Sequence, residues 1–363
     1  MPERLRRSRE AAGPQQVVVQ NQNGHRATQV YLRRYPLGMS LRPMRWENGV
    51  LMMLDQRILP TRTEWLALSR WERVAEAIVT MAVRGAPAIG VAAGYGMVLA
   101  KQSGADMDHA SAQLAATRPT AVNLFWALDR MRPLHGEPAE RLLAEAIAIE
   151  QEDIAANMAM GELGASLLPP GAQILTVCNT GSLATGGHGT ALGIIRTAFA
   201  RDPSIFVYSC ETRPRQQGLR LTAYELTVEK IPFRSIVDGA AASLMRAGKV
   251  DCVIAGADRI AANGDTANKI GTYSLAVLAK HHGIPFYIAA PSSTFDPTLA
   301  SGDLIPIEER SGEEITHIEG VQIAPDGCPT WNPGFDVTPG ELIAAIISER
   351  GIYRPPYAFD ASS

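Results

Sequence analysis

The chain has 363 residues, a formal net charge of −3, 46% hydrophobic residues and 20% charged residues. These values are typical of a soluble globular protein with one large domain or two ordinary ones, and they exclude a disordered chain. Because neither sign of charge dominates, neither nucleic acid nor an anionic membrane is expected as a partner. The apolar run at residues 89–100 is interrupted by Gly94 and Gly96 and is too short to span a bilayer.

Residues 1–38 are polar and rich in arginine, and their apolar residues show no clear periodicity. No apolar segment of the secretory type follows the first arginines, so a secretory signal is excluded. The sequence therefore predicts a poorly ordered N-terminal extension over residues 1–38.

A β-hairpin is predicted over residues 41–56, because Asn48-Gly49 lies between two apolar runs. From Trp65 onward the apolar residues recur at the spacing of a helix. Another helix should begin at Pro87, where the missing N–H of proline does no harm. Three further helices are predicted downstream: residues 108–116, a segment after residue 123, and residues 138–168.

The Pro169-Pro170-Gly171 run should end the last of these helices. It gives the predicted boundary between a mainly helical domain with a small antiparallel sheet, residues 39–168, and a second domain, residues 169–363. The long helix before the boundary can also bridge the two halves.

Arg84 stands just before the helix predicted at Pro87, in the run Arg84-Gly85-Ala86-Pro87. The free N–H groups of a helix start and a guanidinium together could form an anion site. A corner between two helices with a surface arginine would give the same pattern, so both interpretations stay open.

After Gly171 apolar strands alternate with helices, which is typical of a parallel sheet covered on both faces. The fold class is therefore α/β, with a Rossmann-like second domain. A final helix is predicted at residues 339–347. The predicted strands are residues 174–177, 205–208, 235–237, 252–256 and 286–290, with helices at residues 190–200, 216–226, 240–246 and 272–281.

Polar residues follow nearly every predicted strand, at the sheet edge where open α/β sheets bind ligands. Cys178 ends the first strand in a glycine-rich loop and could be a packing cysteine, a general acid or a nucleophile. Asp258 follows the fourth strand and could cap a loop or, if partly buried, shuttle protons. Asn268 and Lys269 precede a helix and could bind an oxyanion or hydroxyls, although Lys269 could equally be a solvated lysine.

The four cysteines are widely spaced and form no C-x-x-C pair, so neither a zinc site nor another metal site is expected. Free cysteines in apolar strands are typical of a cytoplasmic protein. Neither a Walker pattern nor G-x-G-x-x-G is present, so no nucleotide cofactor is expected. The residues by themselves predict an anionic, hydroxylated small molecule handled by a cysteine and a carboxylate.

Several stretches taken together resemble the methylthioribose-1-phosphate isomerases, from about residue 39 to the end of the chain. Each motif alone would be weak, but their combination is highly specific. The stretches are residues 42–46 (RPMRW), 84–90 (RGAPAIG), 178–185 (CNTGSLAT), 211–218 (ETRPRQQG), 256–261 (GADRIA) and 263–273 (NGDTANKIGTY).

The resemblance implies isomerisation of 5-methylthioribose 1-phosphate to 5-methylthioribulose 1-phosphate in methionine salvage, by a homodimer without metal or redox cofactor. It also implies that Cys178 and Asp258 are the catalytic pair. The substrate-binding residues that it implies are Arg84, Gly85, Ala86, Arg118, Gln217, Asn268 and Lys269.

Two routes are compatible with this resemblance. In one, Cys178 assists ring opening as an acid and Asp258 moves protons at C2 through an enolate-like state. In the other, Asp258 deprotonates the 2-hydroxyl while hydride shifts from C2 to C1, which a dry site would favour. The alternative substrates are 5-deoxyribose 1-phosphate and ribose 1,5-bisphosphate. A non-catalytic binding subunit like those of the translation-initiation exchange factor is the remaining alternative.

Overall fold

The computed structural model describes residues 15–18, 29–32, 41–119 and 121–359. The described residues before residue 40 and those from residue 41 onward belong to two different units of the chain. In the first unit, β1 (Gln15–Val18) pairs antiparallel with β2 (Gln29–Leu32), a pairing that the sequence did not predict. The rest of the predicted N-terminal extension lies outside the described residues.

The second unit opens with an antiparallel sheet of β3 (Met44–Glu47), β4 (Val50–Leu54) and β5 (Trp65–Leu68). The predicted hairpin is confirmed, and positive φ values at Asn48 and Gly49 give the turn that joins β3 to β4. The helix predicted to begin at Trp65 begins instead at Trp71, because residues 65–68 pair with β4 as a third strand.

Five helices follow the small sheet, and the second of them is the centre of the first half. It is buried along nearly its whole length and packs against the other four, which explains its lack of a polar face. The helices are α1 (Trp71–Val79), α2 (Ala86–Gln102), α3 (Met107–Ala116), α4 (Val122–Met131) and α5 (Ala139–Ala165).

The long helix α5 contributes to two hydrophobic cores. Leu142 and Ile149 pack in the core of the helical half, whereas Met160 and Ala165 pack with the strands of the second half. None of the described helices is both long enough and apolar enough to cross a membrane.

A seven-stranded sheet forms the second half, and all its pairings are parallel except that of the last strand. The strands of this sheet are β6 (Gln173–Thr176), β7 (Phe206–Cys210), β8 (Phe233–Ile236), β9 (Cys252–Ala255), β12 (Phe286–Ala289), β17 (Ala345–Ser348) and β18 (Gly351–Tyr353). The helices between them are α6 (Ala191–Arg201), α7 (Ala223–Glu229), α8 (Ala241–Arg246) and α9 (Thr272–His282). The strand numbers missing here belong to other sheets.

The spatial order of this sheet is β18-β17-β12-β9-β6-β7-β8. Counted by appearance in the chain, its six parallel strands lie in the Rossmann order 3-2-1-4-5-6. The direction of winding reverses between β6 and β9, which are direct neighbours. Ligands bind outside the carboxyl ends of strands at such a reversal. The predicted fold class is confirmed, and Cys178 and Asp258 follow the two strands that flank this point.

A second, smaller sheet lies in the connections around β12, and the sequence did not predict it because its strands are only two to four residues long. Its order is β13-β10-β11-β16. The additional elements are β10 (Arg259–Ala261), β11 (Thr266–Lys269), β13 (Phe295–Asp296), α10 (Glu313–Thr316), β14 (His317–Ile318), β15 (Val321–Gln322) and β16 (Phe335–Thr338).

The helix predicted at residues 339–347 is wrong. A short 3₁₀ turn, Gly340–Leu342, is followed by the buried strand β17, which pairs with β12 on one side and β18 on the other. A short apolar run fits a buried strand as well as a buried helix, and here the sheet supplied the hydrogen-bond partners.

Candidate active site

Cys178 has a strained backbone just after β6. Its φ is +64°, a left-handed conformation that non-glycine residues rarely adopt and that costs about 1–3 kcal/mol. Two threonines hold it there: the Cys178 N–H donates to Thr212 Oγ1 at 2.8 Å, and Thr222 Oγ1 donates to the Cys178 carbonyl at 2.7 Å. The position of this buried thiol is therefore fixed from both sides of its own backbone.

The Cys178 sulfur accepts two hydrogen bonds from side chains distant in sequence. Arg84 Nη2 lies 3.6 Å from Sγ, and Gln217 Nε2 lies 3.5 Å from it. Arg84 also donates from Nη2 to the Asn179 carbonyl at 3.0 Å and from Nη1 to the Asn179 side chain. Arg84 is thus not a free surface residue, and the structure brings three of the predicted site residues together.

Gly85 lets the start of α2 approach the Cys178 loop closely. Its φ is +98°, and a Cβ there would lie 2.4 Å from the Ala184 carbonyl oxygen. Only glycine meets both requirements. The helix begins at Ala86, so Pro87 is its second residue, whereas the sequence predicted it as the first. The first N–H groups of a helix lack partners within it, so this end can receive an anion.

A cleft opens beside this helix start. Its polar lining includes Arg118 and Asp258, two of the predicted site residues, together with Gly85 and Ala86. Its other lining residues are Ile89, Ala121, Arg259, Ala267, Ile305, Pro306, Ile307 and Phe335. The lining of the cleft therefore combines charged side chains with apolar ones.

Asp258 follows β9, and its backbone N–H donates to the Ala267 carbonyl at 2.9 Å. Burial raises the pKa of the Asp258 carboxyl, while the nearby cations Lys269, Arg118 and Arg84 lower it in part. A carboxyl with a raised pKa is better suited to accept and return a proton near neutral pH than an ordinary aspartate.

Lys269 and Asn268 lie at the end of β11, and both side chains have partners within the protein. Lys269 Nζ donates to the Gly334 carbonyl at 2.7 Å and lies 4.0 Å from the centre of the Phe335 ring. Burial lowers the pKa of Lys269, and the neighbouring acidic groups Cys178 and Asp258 oppose that shift. Asn268 is buried and donates to Thr272 Oγ1 at 2.9 Å. Lys269 is therefore not the solvated lysine that the sequence left possible.

Arg118 is largely buried in the cleft wall, where burial lowers its pKa. Its Nη2 lies 3.8 Å from Glu308 Oε2, and Glu308 also pairs with Arg310 at 3.0 Å. The sequence gave no signal for Glu308 or Arg310, since the segment that carries them is irregular. The described residues contain no group of three or more His, Cys, Asp or Glu side chains placed to hold a metal ion.

Sequence reasoning also missed the residues that support the Cys178 loop. Thr212 lies in the 211–218 motif, but the motif alone does not indicate what its side chain does. Glu225 lies within the helix predicted at residues 216–226, where nothing in the sequence distinguishes it from a surface glutamate. Glu225 is fully buried and accepts a hydrogen bond from Asn179 at 2.7 Å. Only its burial in the structure reveals it, since charged residues are rarely fully buried unless they are paired.

The arrangement provides a thiol with two N–H donors and a carboxyl with a raised pKa, at the ends of neighbouring strands. An arginine-bearing helix start lies next to the thiol. Such a site can transfer protons to and from a small anionic substrate that lies outside the carboxyl ends of β6 and β9.

Comparison with known proteins agrees with this geometry. Residues 82–355 match the model of the initiation factor 2 subunit family. The chain is 54% identical over 324 residues to the methylthioribose-1-phosphate isomerase of Alcanivorax borkumensis, covering 86% of this chain and 94% of that protein. It is 55% identical over 336 residues to the enzyme of the same name from Chloroflexus aurantiacus, covering 88% and 97%.

Two solved structures are also similar. The 5-methylthioribose 1-phosphate isomerase from Pyrococcus horikoshii OT3 superimposes with a TM-score of 0.82 at 46% identity, covering 89% of this chain and 96% of that one. The translation initiation factor eIF-2B, subunit delta, from A. fulgidus gives 0.77 at 44% identity, covering 88% and 97%. The chain therefore belongs to the initiation factor 2 subunit family and, within it, to the methylthioribose-1-phosphate isomerases.

Proposed function

We propose that this protein converts 5-methylthioribose 1-phosphate to 5-methylthioribulose 1-phosphate, the isomerisation step of methionine salvage. The observation that carries the proposal is the placement of Cys178 and Asp258 at the two strand ends that flank the winding reversal. The names of the relatives at 54% and 55% identity support the same reaction.

The reaction needs both an acid and a base. The anomeric oxygen carries phosphate, so the sugar cannot open to a free aldehyde. Instead, the bond between C1 and the ring oxygen breaks, the ring oxygen gains a proton, and a ketone forms at C2 as one hydrogen passes to C1. Cys178 is the proposed donor to the ring oxygen, and its two N–H partners stabilise the thiolate that remains.

Asp258 is the proposed base. In the hydride route it takes the proton of the 2-hydroxyl while hydride moves from C2 to C1. In the enolate-like route it takes the proton on C2 and a proton returns to C1. Substrate deuterated at C2 distinguishes them: full retention of deuterium at C1 supports the hydride route, whereas solvent hydrogen at C1 contradicts it.

The phosphate is assigned to the start of α2, with Arg84, Gly85 and Ala86. A guanidinium and free helical N–H groups are complementary to a dianion. Arg118 and Lys269 add positive charge around the reacting carbons, where negative charge develops. Gln217 and Asn268 are proposed to bind the sugar hydroxyls.

The apolar residues of the cleft lining favour a methylthio group over a second phosphate at C5. Ile305, Pro306 and Ile307 are among these residues, and their aliphatic side chains offer a phosphate no hydrogen-bond donors. Ribose 1,5-bisphosphate is therefore the weaker alternative. 5-Deoxyribose 1-phosphate has a smaller substituent at C5, which would leave part of the apolar lining without contacts but would not clash with it. It is therefore an alternative substrate.

A non-catalytic binding subunit is the other alternative, since the A. fulgidus relative carries an initiation-factor name. The joint presence of Cys178, Asp258 and Lys269 around one site favours an enzyme. A binding module has no need for a carboxyl with a raised pKa and a buried thiol that follow neighbouring strands.

The architecture proposed for the active protein has a helical domain, residues 39–168, and a catalytic domain, residues 169–363, that close over the substrate. The active form is proposed to be a homodimer in the cytoplasm. Light scattering on the purified protein gives its mass directly, and a monomer at working concentration would contradict the dimer.

The deciding experiment is turnover of 5-methylthioribose 1-phosphate, with the product identified by NMR. The same assay is run with 5-deoxyribose 1-phosphate and ribose 1,5-bisphosphate, and the three kcat/KM values are compared. We expect the methylthio sugar to be the best substrate. No turnover of any of the three by folded protein would contradict the proposed function.

A further inference from the structure

A fully buried carboxylate is hydrogen-bonded to the loop that carries Cys178. Glu225 belongs to α7, and its exposed fraction is 0%. An ionised carboxylate in such a place costs several kcal/mol unless donors surround it. Its hydrogen-bond partners therefore indicate what it does.

Four donors reach Glu225. Oε2 accepts from the Ser182 N–H at 2.8 Å and from Arg196 Nη2 at 2.5 Å, and Oε1 accepts from Asn179 Nδ2 at 2.7 Å and the Leu183 N–H at 3.4 Å. Three of these donors come from the loop that follows β6. The carboxylate thus ties that loop to α7.

The loop passes so close to the carboxylate that a side chain would not fit between them. A Cβ on Gly181 would lie 2.3 Å from Glu225 Oε2. One turn of helix earlier, Thr222 donates to the carbonyl of Cys178. The same helical segment therefore holds the strained thiol residue and the loop beyond it.

The hydrogen bond to Asn179 has a further consequence. Because Glu225 accepts from the amide nitrogen, the amide oxygen of Asn179 is left to accept from Arg84 Nη1. The other terminal nitrogen of Arg84 then lies 3.6 Å from the Cys178 sulfur. A continuous chain of contacts leads from the buried carboxylate through one amide and one guanidinium to the thiol.

The charge of Glu225 is balanced where it lies. Burial alone would lower the pKa of Arg196, but Glu225 and Glu229 together raise it. Arg196 Nε donates to Glu229 at 2.5 Å, and Nη1 donates to the carbonyl of His188. Glu229 thus shares the arginine with Glu225, but among the described residues it accepts no hydrogen bond from the loop after β6.

We propose that Glu225 is a positioning residue for the thiol. It fixes the orientation of the Asn179 amide, and through that amide it holds the Arg84 guanidinium against the Cys178 sulfur. The expected effect of Glu225 on kcat rests on the proposed function, in which Cys178 is the acid.

The test compares Glu225→Gln with the matched control Glu229→Gln. Glutamine keeps the shape of Glu225 but presents a donor where two N–H groups need an acceptor. We expect kcat to fall about 10- to 100-fold in Glu225→Gln, as small displacements at a reacting group do. KM should rise as well, because Arg84 is also a proposed phosphate ligand. Glu229→Gln should stay within about threefold. An equal loss in both variants would assign the effect to the charge of Arg196 and overturn the proposal.

A second measurement does not depend on turnover. In a Cys328→Ser background, which removes the exposed thiol, alkylation of Cys178 by iodoacetamide is followed by mass spectrometry. Glu225→Gln should slow alkylation at pH 7 at least about threefold, because the cation beside the sulfur is no longer held in place. If the native protein turns over no sugar, the proposed function fails, while the alkylation rates still decide the role of Glu225.

A double-mutant cycle with Arg84→Ala separates positioning from a general structural effect. If Glu225 acts through Arg84, adding Glu225→Gln to Arg84→Ala should slow alkylation less than about twofold further. A full multiplicative loss, or native alkylation and kcat in Glu225→Gln, would overturn the proposal. If Glu225→Gln does not fold, Asn179→Ala takes its place: slowed alkylation supports the chain of contacts, and a native rate overturns it.

Discussion

Cys178 and Asp258 are held in different ways. Around Cys178, buried hydrogen bonds with Thr212, Thr222 and Glu225 hold the loop after β6. Around Asp258, charged groups act on the carboxyl, and Lys269 and Arg118 are among them. The position of Cys178 is therefore fixed by hydrogen bonds, whereas the pKa of Asp258 is determined by burial and by nearby charges.

This difference separates two demands on the site. A proton donor to a ring oxygen must be at one place, and backbone strain at Cys178 is tolerated because its surroundings over-determine it. A proton acceptor must have a suitable pKa, which burial and nearby cations adjust without rigid contacts. Mutations around these two residues should therefore fail in different ways.

The largest effect is expected at Asp258. Asp258→Asn removes the base while keeping its shape, so kcat should fall about 10³-fold or more with the melting temperature little changed. The exposed Asp303→Asn is the matched control and should keep native activity. Turnover measured on folded Asp258→Asn at the native rate would refute the role of Asp258.

Cys178→Ala should come next. Loss of the acid is expected to lower kcat about 10²- to 10³-fold, because water can replace part of its function. Cys252→Ala, which truncates another buried cysteine, should keep kcat within about twofold. Both variants are compared by circular dichroism and by single-turnover kinetics. Similar losses in the two would point to packing rather than chemistry.

Gly85→Ala tests whether the Cys178 loop depends on close approach. The new methyl group would meet the Ala184 carbonyl, so the free energy of unfolding should fall by about 2 kcal/mol or more, and activity with it. Gly104→Ala is a matched control, with φ +70° and no atom within 4 Å of the new Cβ. Its cost should be about 1 kcal/mol, from backbone strain alone. Equal costs in urea unfolding would show that the contact with Ala184 is unimportant.

The smallest effect is expected at Asp153, which contacts Gly186 in the loop after β6. Asp153 Oδ2 accepts from the Gly186 N–H at 2.6 Å and from Asn157 at 3.0 Å. Burial raises its pKa to about 7, and the like charges of Glu150 and Glu349 add to the shift. Because the folded pKa lies above the unfolded value of 3.8, the stabilisation is complete below about pH 4 and is lost as pH rises through about 7.

Asp153→Asn removes this titration and keeps an acceptor for both donors. The melting temperature of the variant, relative to native protein, should therefore be higher at pH 8 than at pH 6. The difference corresponds to roughly 1 kcal/mol. Other titrating groups are common to both proteins and cancel in the comparison. A difference that does not change with pH would contradict the expected shift at Asp153.

The order of secondary-structure elements could mostly be predicted from the sequence, because apolar periodicity and turn residues act locally. The hairpin at Asn48-Gly49 and the alternation after Gly171 are examples. The errors at Trp65 and at residues 339–347 arose where a short apolar run fits strand or helix equally. In both places a neighbouring strand decided the outcome.

The sequence by itself determined the family, the fold class and the two strand ends that carry Cys178 and Asp258. Local pattern and motif spacing are sufficient for each of these. Only the tertiary structure decided that β6 and β9 are neighbours, that Arg84 reaches a sulfur 94 residues away, and that Glu225 supports the loop. Hydrogen bonds between distant segments depend on strand order and helix packing, which no local pattern of residues encodes.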